Sequence, residues 1–210
     1  ARPRAGRPGR PRELRVPWVH AHQPDKDAVV ESRIGGKAAR VVPSGPDHQI
    51  ECTHDMIMGV LSIAAKRVVI TTPYFLPDRP LIGALAVAAR RGVAIDILLP
   101  SKSNLRIVDF AVMAHLEEIV EIGCRVWHSV APFDHSKMMA VDGEWAYVGS
   151  SNLDPRSFRL NFEIDLEIYD SNLAAWIESH IDAHIALATP VTAAGLADQN
   201  FWRRLRDRTS

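Results

Sequence analysis

Short apolar runs alternate with amphipathic stretches along most of the chain. Residues 67–72 and 93–99 are rich in aliphatic and β-branched side chains and have the length of strands that are buried on both faces. Between them, apolar residues recur at helical spacing from Leu81 to Ala88, and Gly92 follows as a residue that commonly ends a helix. This strand–helix–strand order with short connections predicts parallel strands whose connecting helices cover the sheet.

The same alternation extends in both directions. It predicts a strand over residues 39–42 and a helix with Ile50, Ile57, Leu61 and Ala64 on one face. Downstream it predicts a helix marked by Val108, Val112, Leu116 and Ile119, then a strand over residues 125–130. Together these elements predict an α/β fold with a mixed, largely parallel sheet and helices on both faces.

The pattern changes after Pro132. Two strand-like runs, 136–141 and 144–148, are joined at Asp142-Gly143, a dipeptide that favours a two-residue hairpin turn. A further strand over 162–169 alternates strictly, with Phe162, Ile164, Leu166 and Ile168 on one face and Glu163, Asp165 and Glu167 on the other. An amphipathic helix over residues 173–185 follows and is expected to cover this part of the sheet.

Composition predicts one domain flanked by two basic segments. The 210 residues are 47% hydrophobic, and the formal net charge of +0 gives no overall field that would attract nucleic acid. Residues 1–37 begin with a run rich in Arg, Pro and Gly, which predicts a disordered or linker arm. The core domain is expected over 38–190, followed by a basic amphipathic segment over 191–210.

Cysteine usage and hydropathy narrow the class of protein further. Cys52 and Cys124 lack the spacing of a metal site or a disulfide framework, which favours a reducing compartment. No apolar run approaches the ~20 residues of a membrane span. The chain begins with Ala1 rather than Met, so we expect it to be part of a longer protein.

The strongest chemical signal is the pattern H-x-K-x4-D followed by G-S-x-N. The first part consists of His135, Lys137 and Asp142, and the second is Gly149-Ser150-Ser151-Asn152. Residues two apart on a strand project to the same face, so the imidazole and the ammonium are expected together. Imidazole can attack phosphorus or transfer a proton. Lys137, Ser150, Ser151 and Asn152 are the predicted phosphate-binding residues, and this chemistry requires no metal or other cofactor.

Two carboxylates are candidates for supporting the imidazole. Glu163, on the polar face of the strand that follows, is the predicted partner that fixes the tautomer of His135. Asp142 belongs to the motif, but Asp before Gly is also the expected hairpin turn, so a structural and a catalytic role both remain open. His180 and His184 have a spacing that can bind zinc, yet no third ligand accompanies them, and no metal site is predicted.

These residues carry a family resemblance. The two motifs are similar to those of the phospholipase D superfamily, and the closer match is to the C-terminal catalytic half of bacterial cardiolipin synthases. The segments that support this match are VPSGPD at 42–47, TPYFLPD at 72–78, VGSSNLDPRS at 148–157 and NFE at 161–163. The resemblance implies a three-layer sandwich of the phospholipase D type.

The resemblance also implies a mechanism. In such synthases one histidine forms a phosphohistidine, the other transfers protons, and a phosphatidyl group passes between two phosphatidylglycerol molecules with release of glycerol. It makes His135 the general acid and base, with Lys137 and Asn152 on the phosphate and Glu163 as the family's carboxylate. The expected partners are phosphatidylglycerol and a membrane surface, at a cytoplasmic, membrane-associated location.

This chain carries only one H-x-K pattern. The second motif is therefore expected either in an N-terminal half of the same protein or in a second copy of the chain. Two other functions use the same residues: hydrolysis of phospholipid by a phospholipase D-type phosphodiesterase, and cleavage of DNA by a single-motif homodimer. Nucleic acid is not the expected partner, because no basic stripe with interleaved aromatic residues is present.

Overall fold

The computed structural model describes residues 32–34, 37–46, 50–101 and 115–196. Within these ranges nine strands form one sheet in the order β1-β2-β8-β7-β6-β3-β4-β5-β9. The strands are β1 Ser32–Ile34, β2 Lys37–Ser44, β3 Arg67–Thr71, β4 Ala94–Pro100, β5 Arg125–Ser129, β6 Met138–Val141, β7 Trp145–Gly149, β8 Glu163–Tyr169 and β9 Thr189–Val191. The helices are α1 Cys52–Ile63, α2 Arg79–Arg90, α3 described over residues 115–121, α4 Pro155–Arg159 and α5 Ser171–Ile185.

The predicted mixed sheet with helices on both faces is confirmed. Helices α1 to α4 pack on one face around a large apolar core, and α5 covers β3, β6 and β7 on the other. None of the helices in the described ranges is long and apolar enough to cross a membrane. Residues 108–114 of the predicted third helix lie outside the described residues.

The prediction that the sheet is largely parallel is wrong. Among the nine described strands, parallel pairing is confined to β3–β4 and β4–β5, and the other neighbouring strands pair antiparallel. Parallel neighbours need a long crossover, which α2 and α3 provide in the first half. The second half connects β6 to β7 by a tight hairpin, which imposes antiparallel pairing.

The hairpin turn is at the predicted position. Asp142 and Gly143 have φ angles of 55° and 68°, the left-handed conformation that a two-residue turn of this type requires at both central positions. The Asp142 carboxylate accepts hydrogen bonds from the backbone N–H groups of Ala65, Lys66 and Arg67 at 2.7–2.8 Å. It therefore ties the hairpin to the start of β3.

Strand β8 has its acidic face inward. Asp165 is 0% and Glu167 4% exposed, whereas Phe162 is 76% and Ile164 61% exposed. The acids can be buried because hydrogen-bond donors satisfy their oxygens. Glu167, for example, accepts hydrogen bonds from the Trp145 indole at 3.0 Å and the Tyr169 hydroxyl at 2.8 Å. Alternation placed the two faces of this strand correctly but gave no sign that the polar one is buried.

The predicted flanking segments overlap with strands. The arm predicted over 1–37 lies outside the described residues as far as residue 31, and β1 and the first residue of β2 occupy its end. The segment predicted over 191–210 begins with the last residue of β9, and Leu196 is buried in the main core. Residues 197–210 lie outside the described residues.

Candidate functional site

Most of the motif residues gather at one edge of the sheet. Lys137 directly precedes β6, Gly149 is the last residue of β7, and Glu163 is the first residue of β8. Because these three strands run antiparallel to their neighbours, the start of one lies beside the end of the next. The loop that follows β3 reaches the same edge, where Phe75 pairs with Leu153.

His135 and Lys137 are in direct contact. The Lys137 ammonium lies 3.1 Å from Nδ1 of His135 and donates a hydrogen bond to the His135 carbonyl oxygen at 2.8 Å. A charged ammonium has only donors, so Nδ1 must accept, and Nε2 carries the hydrogen of the neutral ring. None of the described residues hydrogen-bonds to Nε2. His135 is exposed, between the rings of Tyr74 at 6.4 Å and Phe133 at 6.0 Å.

Lys137 is a buried cation, 6% exposed, among carboxylates. Burial lowers its pKa below the ordinary lysine value, while the negative charges of Glu163, Asp134 and Asp154 act in the opposite direction. The pKa of Asp154 is raised by burial, despite the hydrogen bond it accepts from the Ser157 N–H at the start of α4. The site thus holds a buried positive charge that three carboxylates influence.

Glu163 does not take the role predicted for it. Its two oxygens accept hydrogen bonds from the Ser150 hydroxyl and from Nδ2 of Asn161 at 3.0 Å, and no hydrogen bond joins it to His135 in the described part of the chain. Lys137 instead contacts the imidazole and fixes its tautomer. Glu163 is brought to the site, where its charge acts on Lys137.

The three residues of the Ser-Ser-Asn loop differ in orientation. Ser150 is exposed, and its hydroxyl also accepts a hydrogen bond from the Ile164 N–H at 2.9 Å. Asn152 is half-buried, and its Oδ1 is a buried oxygen without a hydrogen-bond partner among the described residues. Ser151 is only 1% exposed and donates its hydroxyl to Asp165 at 2.6 Å. The prediction that Ser151 binds phosphate is therefore wrong, because its hydroxyl points into the core.

Asp142 is not brought to the site. It follows the last residue of β6, at the opposite end of that strand from Lys137, and both of its oxygens accept backbone hydrogen bonds. Of the two roles left open by the sequence, the structure supports the hairpin role. The prediction of a catalytic role for Asp142 is corrected accordingly.

Other residues at this edge had only weak signals in the sequence. An open concavity of about 750 Å³ lies beside Asn161 and Asp154 and is lined further by Leu76, Pro155, Arg156, Arg159 and Leu160. Asp154 is the N-cap of α4 with Pro155 after it, an arrangement that sequence reasoning can identify as a helix start. Nothing in the spacing of α4 pointed to a concavity beside it.

Metal-ligating side chains do not cluster in the described ranges. The His180 and His184 rings lie 4.5 Å apart on α5, and His180 stacks on Trp176 at 5.2 Å. Within the described residues, no group of three or more His, Cys, Asp or Glu side chains is arranged to hold a metal ion.

Solved structures of the phospholipase D family have the same fold. Nuc from Salmonella typhimurium superposes with a TM-score of 0.63 at 20% identity and covers 74% of this chain and 98% of that one. The phosphatidylserine synthase from Haemophilus influenzae superposes with a TM-score of 0.60 at 18% identity and covers 82% of this chain and 47% of that one. At this level of identity the likeness shows the fold alone.

Sequence comparison identifies the family. The cardiolipin synthase of Staphylococcus aureus (strain N315) is 31% identical over 176 residues, 84% of this chain and 36% of that one. Cardiolipin synthase A of Serratia proteamaculans is 32% identical over 185 residues, 88% of this chain and 38% of that one. The chain thus spans little more than a third of these curated relatives. Residues 57–185 match the family described as "Cardiolipin synthase, PLD-like domain", and the chain therefore belongs to that family of phospholipase D-like domains.

Proposed function

We propose that the chain supplies one half of the active site of a cardiolipin synthase-like phosphatidyltransferase, in which His135 is the general acid and base. The contact between Lys137 and Nδ1 of His135 carries this proposal. It directs the hydrogen of the neutral ring to Nε2, and Lys137 can supply a proton to Nδ1 when a leaving alcohol takes that hydrogen.

Three groups at the same edge are suited to a phosphate. The ammonium of Lys137 neutralises charge on the non-bridging oxygens as the transition state forms. The Asn152 amide and the Ser150 hydroxyl belong to the loop of residues 149–152, and the hydroxyl can turn from Glu163 to a phosphate oxygen. The buried position of Lys137 strengthens its attraction for an anion, because little water screens it.

The reaction proceeds in two displacements. A histidine of a second H-x-K motif attacks phosphorus of one phosphatidylglycerol, and the bond to the glycerol headgroup breaks. His135 gives its Nε2 proton to the departing glycerol while Nδ1 takes a proton from the Lys137 ammonium, so the ring stays neutral. Nε2, now without a hydrogen, then accepts the proton of a hydroxyl on a second phosphatidylglycerol, and Nδ1 returns its proton to Lys137. That oxygen attacks the phosphohistidine, cardiolipin forms, and both histidines return to their starting states.

The open concavity is suited to the lipid. Arg156 and Arg159 can pair with the phosphate of a glycerophospholipid, and Leu76 and Leu160 provide apolar wall for its glycerol and acyl carbons. Arg159 already pairs with Glu51, so Arg156 is the more available cation. The concavity lies next to Asp154 and Asn161, so a lipid bound in it would be close to Lys137 and Glu163.

The reaction needs two histidines, and this sequence contains a single H-x-K motif. The nucleophile therefore comes from a second such motif. We assign it to an N-terminal half of the same protein or to a second copy of the chain. A cytoplasmic membrane surface is the place where both lipid substrates are available to such an enzyme.

Product analysis tests the proposal. The protein as its gene encodes it is incubated with mixed micelles of phosphatidylglycerol, and cardiolipin, glycerol and phosphatidic acid are quantified. We expect equal amounts of cardiolipin and glycerol, lost in His135→Ala and retained in the control His115→Ala. Phosphatidic acid without cardiolipin would instead establish the hydrolytic alternative. Cleavage of DNA with no lipid turnover would establish the nuclease alternative.

A further inference from the structure

Asp165 is a fully buried carboxylate that holds the loop of residues 149–152. Its side chain is 0% exposed. Oδ1 accepts hydrogen bonds from the Tyr147 hydroxyl at 2.8 Å and the Ser151 N–H at 3.1 Å. Oδ2 accepts from the hydroxyls of Ser151 at 2.6 Å and Thr53 at 2.5 Å. A carboxylate is tolerated in such surroundings only when donors satisfy its oxygens, so the four donors and the acid fix each other's positions.

Gly149 completes this arrangement. It is the register partner of Asp165 in the β7–β8 pair. A Cβ on Gly149 would lie 1.8 Å from Oδ1 of Asp165 and 2.7 Å from its carboxyl carbon. The absence of a side chain at Gly149 therefore makes room for the carboxylate, and no unusual backbone angle is involved. The glycine of the G-S-x-N motif and the buried acid on β8 are complementary.

The loop also touches the proposed phosphate site. The Gly149 N–H donates to the Lys137 carbonyl oxygen at 3.1 Å, and the Ser150 N–H donates to the Ile164 carbonyl oxygen at 3.1 Å. Ser150 bonds to Glu163, and Asn152 directly follows Ser151. A shift of Ser151 would consequently move its neighbours Ser150 and Asn152, which are proposed to bind phosphate together with Lys137.

We propose that Asp165 is a positioning residue: it sets the loop that carries Ser150 and Asn152 against Lys137, and through Thr53 it ties that loop to α1. This inference rests on the proposed function for its effect on turnover. Asp165 acts through Ser151 and Gly149 and does not touch the substrate.

Glu167 provides a matched control on the same face of the same strand. It is also a buried carboxylate with several donors, namely the Trp145 indole, the Tyr169 hydroxyl and the Arg40 guanidinium. None of these partners belongs to the loop of residues 149–152. A change at Glu167 therefore reports the cost of disturbing a buried acid without moving the site.

The kinetic test compares Asp165→Asn with Glu167→Gln at a temperature where both proteins are folded. For Asp165→Asn we expect kcat for phosphatidyl transfer to fall by about 10- to 100-fold with KM within about threefold, because misplacement affects the transition state most. Glu167→Gln should keep kcat within about twofold. Thr53→Val removes the bond to α1 and leaves the Ser151 bonds, so its kcat should fall less than that of Asp165→Asn.

Amide hydrogen exchange provides a readout that does not depend on activity. In Asp165→Asn the amide of Ser151 should exchange at least about 10-fold faster than in wild type, whereas Glu167→Gln should leave it unchanged. Unaltered exchange at Ser151, or equal loss of kcat in both acid variants, would overturn the inference. If wild-type protein has no lipid turnover, the proposed function fails, and the exchange result alone decides the role of Asp165.

Discussion

The ammonium nitrogen of Lys137 lies 3.1 Å from Nδ1 of His135, and this contact fixes which ring nitrogen carries the proton. A cation in that position holds Nδ1 as an acceptor and leaves Nε2–H as the donor. The pair thereby couples phosphate binding to proton transfer.

The alkaline limb of the pH profile is expected to belong to Lys137. Its pKa is lowered by burial, so as pH rises the ammonium loses its proton earlier than an exposed lysine does. Activity should fall as pH rises through this lowered pKa, because the neutral amine no longer stabilises the phosphate. The measurement is kcat/KM against pH, with Lys137→Arg as the control. In that variant the alkaline limb should vanish, even if turnover is lower, because the guanidinium stays charged.

Glu163→Gln should move that limb to lower pH. The charge of Glu163 raises the pKa of Lys137, and glutamine keeps the side-chain shape while removing the charge. Comparison of the two pH profiles measures the shift directly. A limb that stays in place, or moves to higher pH, would contradict the electrostatic link between Glu163 and Lys137.

Asp142→Ala should reduce stability and leave catalysis intact. The change removes the acceptor for three backbone N–H groups and places alanine at a φ of 55°. A loss of about 1–3 kcal/mol in the free energy of unfolding is expected, measured by urea denaturation. Asp142→Asn keeps one side-chain acceptor and tolerates the turn, so its loss should be smaller. A fall in kcat without loss of stability would return Asp142 to the catalytic residues.

Asp154 should make the protein relatively more stable as pH falls. Its pKa is raised by burial, so in the interval above its ordinary value the folded state binds a proton that the unfolded state does not. The free energy of unfolding is measured for wild type and Asp154→Asn at a series of pH values. The wild-type value should rise relative to that of the variant as pH drops through the raised pKa. The opposite slope would mean that the carboxylate is stabilised as an anion.

The hairpin and the His135–Lys137 pair could be predicted because both follow from local rules. Asp142-Gly143 suits a two-residue turn, and a spacing of two places side chains on one face of an extended segment. The sequence could not show how far the antiparallel pairing extends, since β2 and β8 pair across more than a hundred residues of chain.

Asp165 and Ser151 show where the pattern is insufficient. Both are polar, and alternation put Asp165 on the polar face of its strand, which predicts solvent. They can be buried because the Ser151 hydroxyl hydrogen-bonds to the Asp165 carboxylate. That carboxylate also accepts hydrogen bonds from Thr53 and Tyr147, which come from other parts of the sequence. Such mutual satisfaction depends on tertiary contacts that no local window contains.

The most direct test of the acid–base role compares two leaving groups in His135→Gln. The protein as its gene encodes it is mixed with phosphatidylglycerol or with a phosphatidyl ester of p-nitrophenol, whose leaving group departs without protonation. The acid–base role of His135 predicts that phosphatidylglycerol turnover falls by about 100- to 10,000-fold, whereas the burst of p-nitrophenolate persists and a phosphoenzyme accumulates. Equal loss with both substrates would contradict it, because His135 would then be needed for the attack itself.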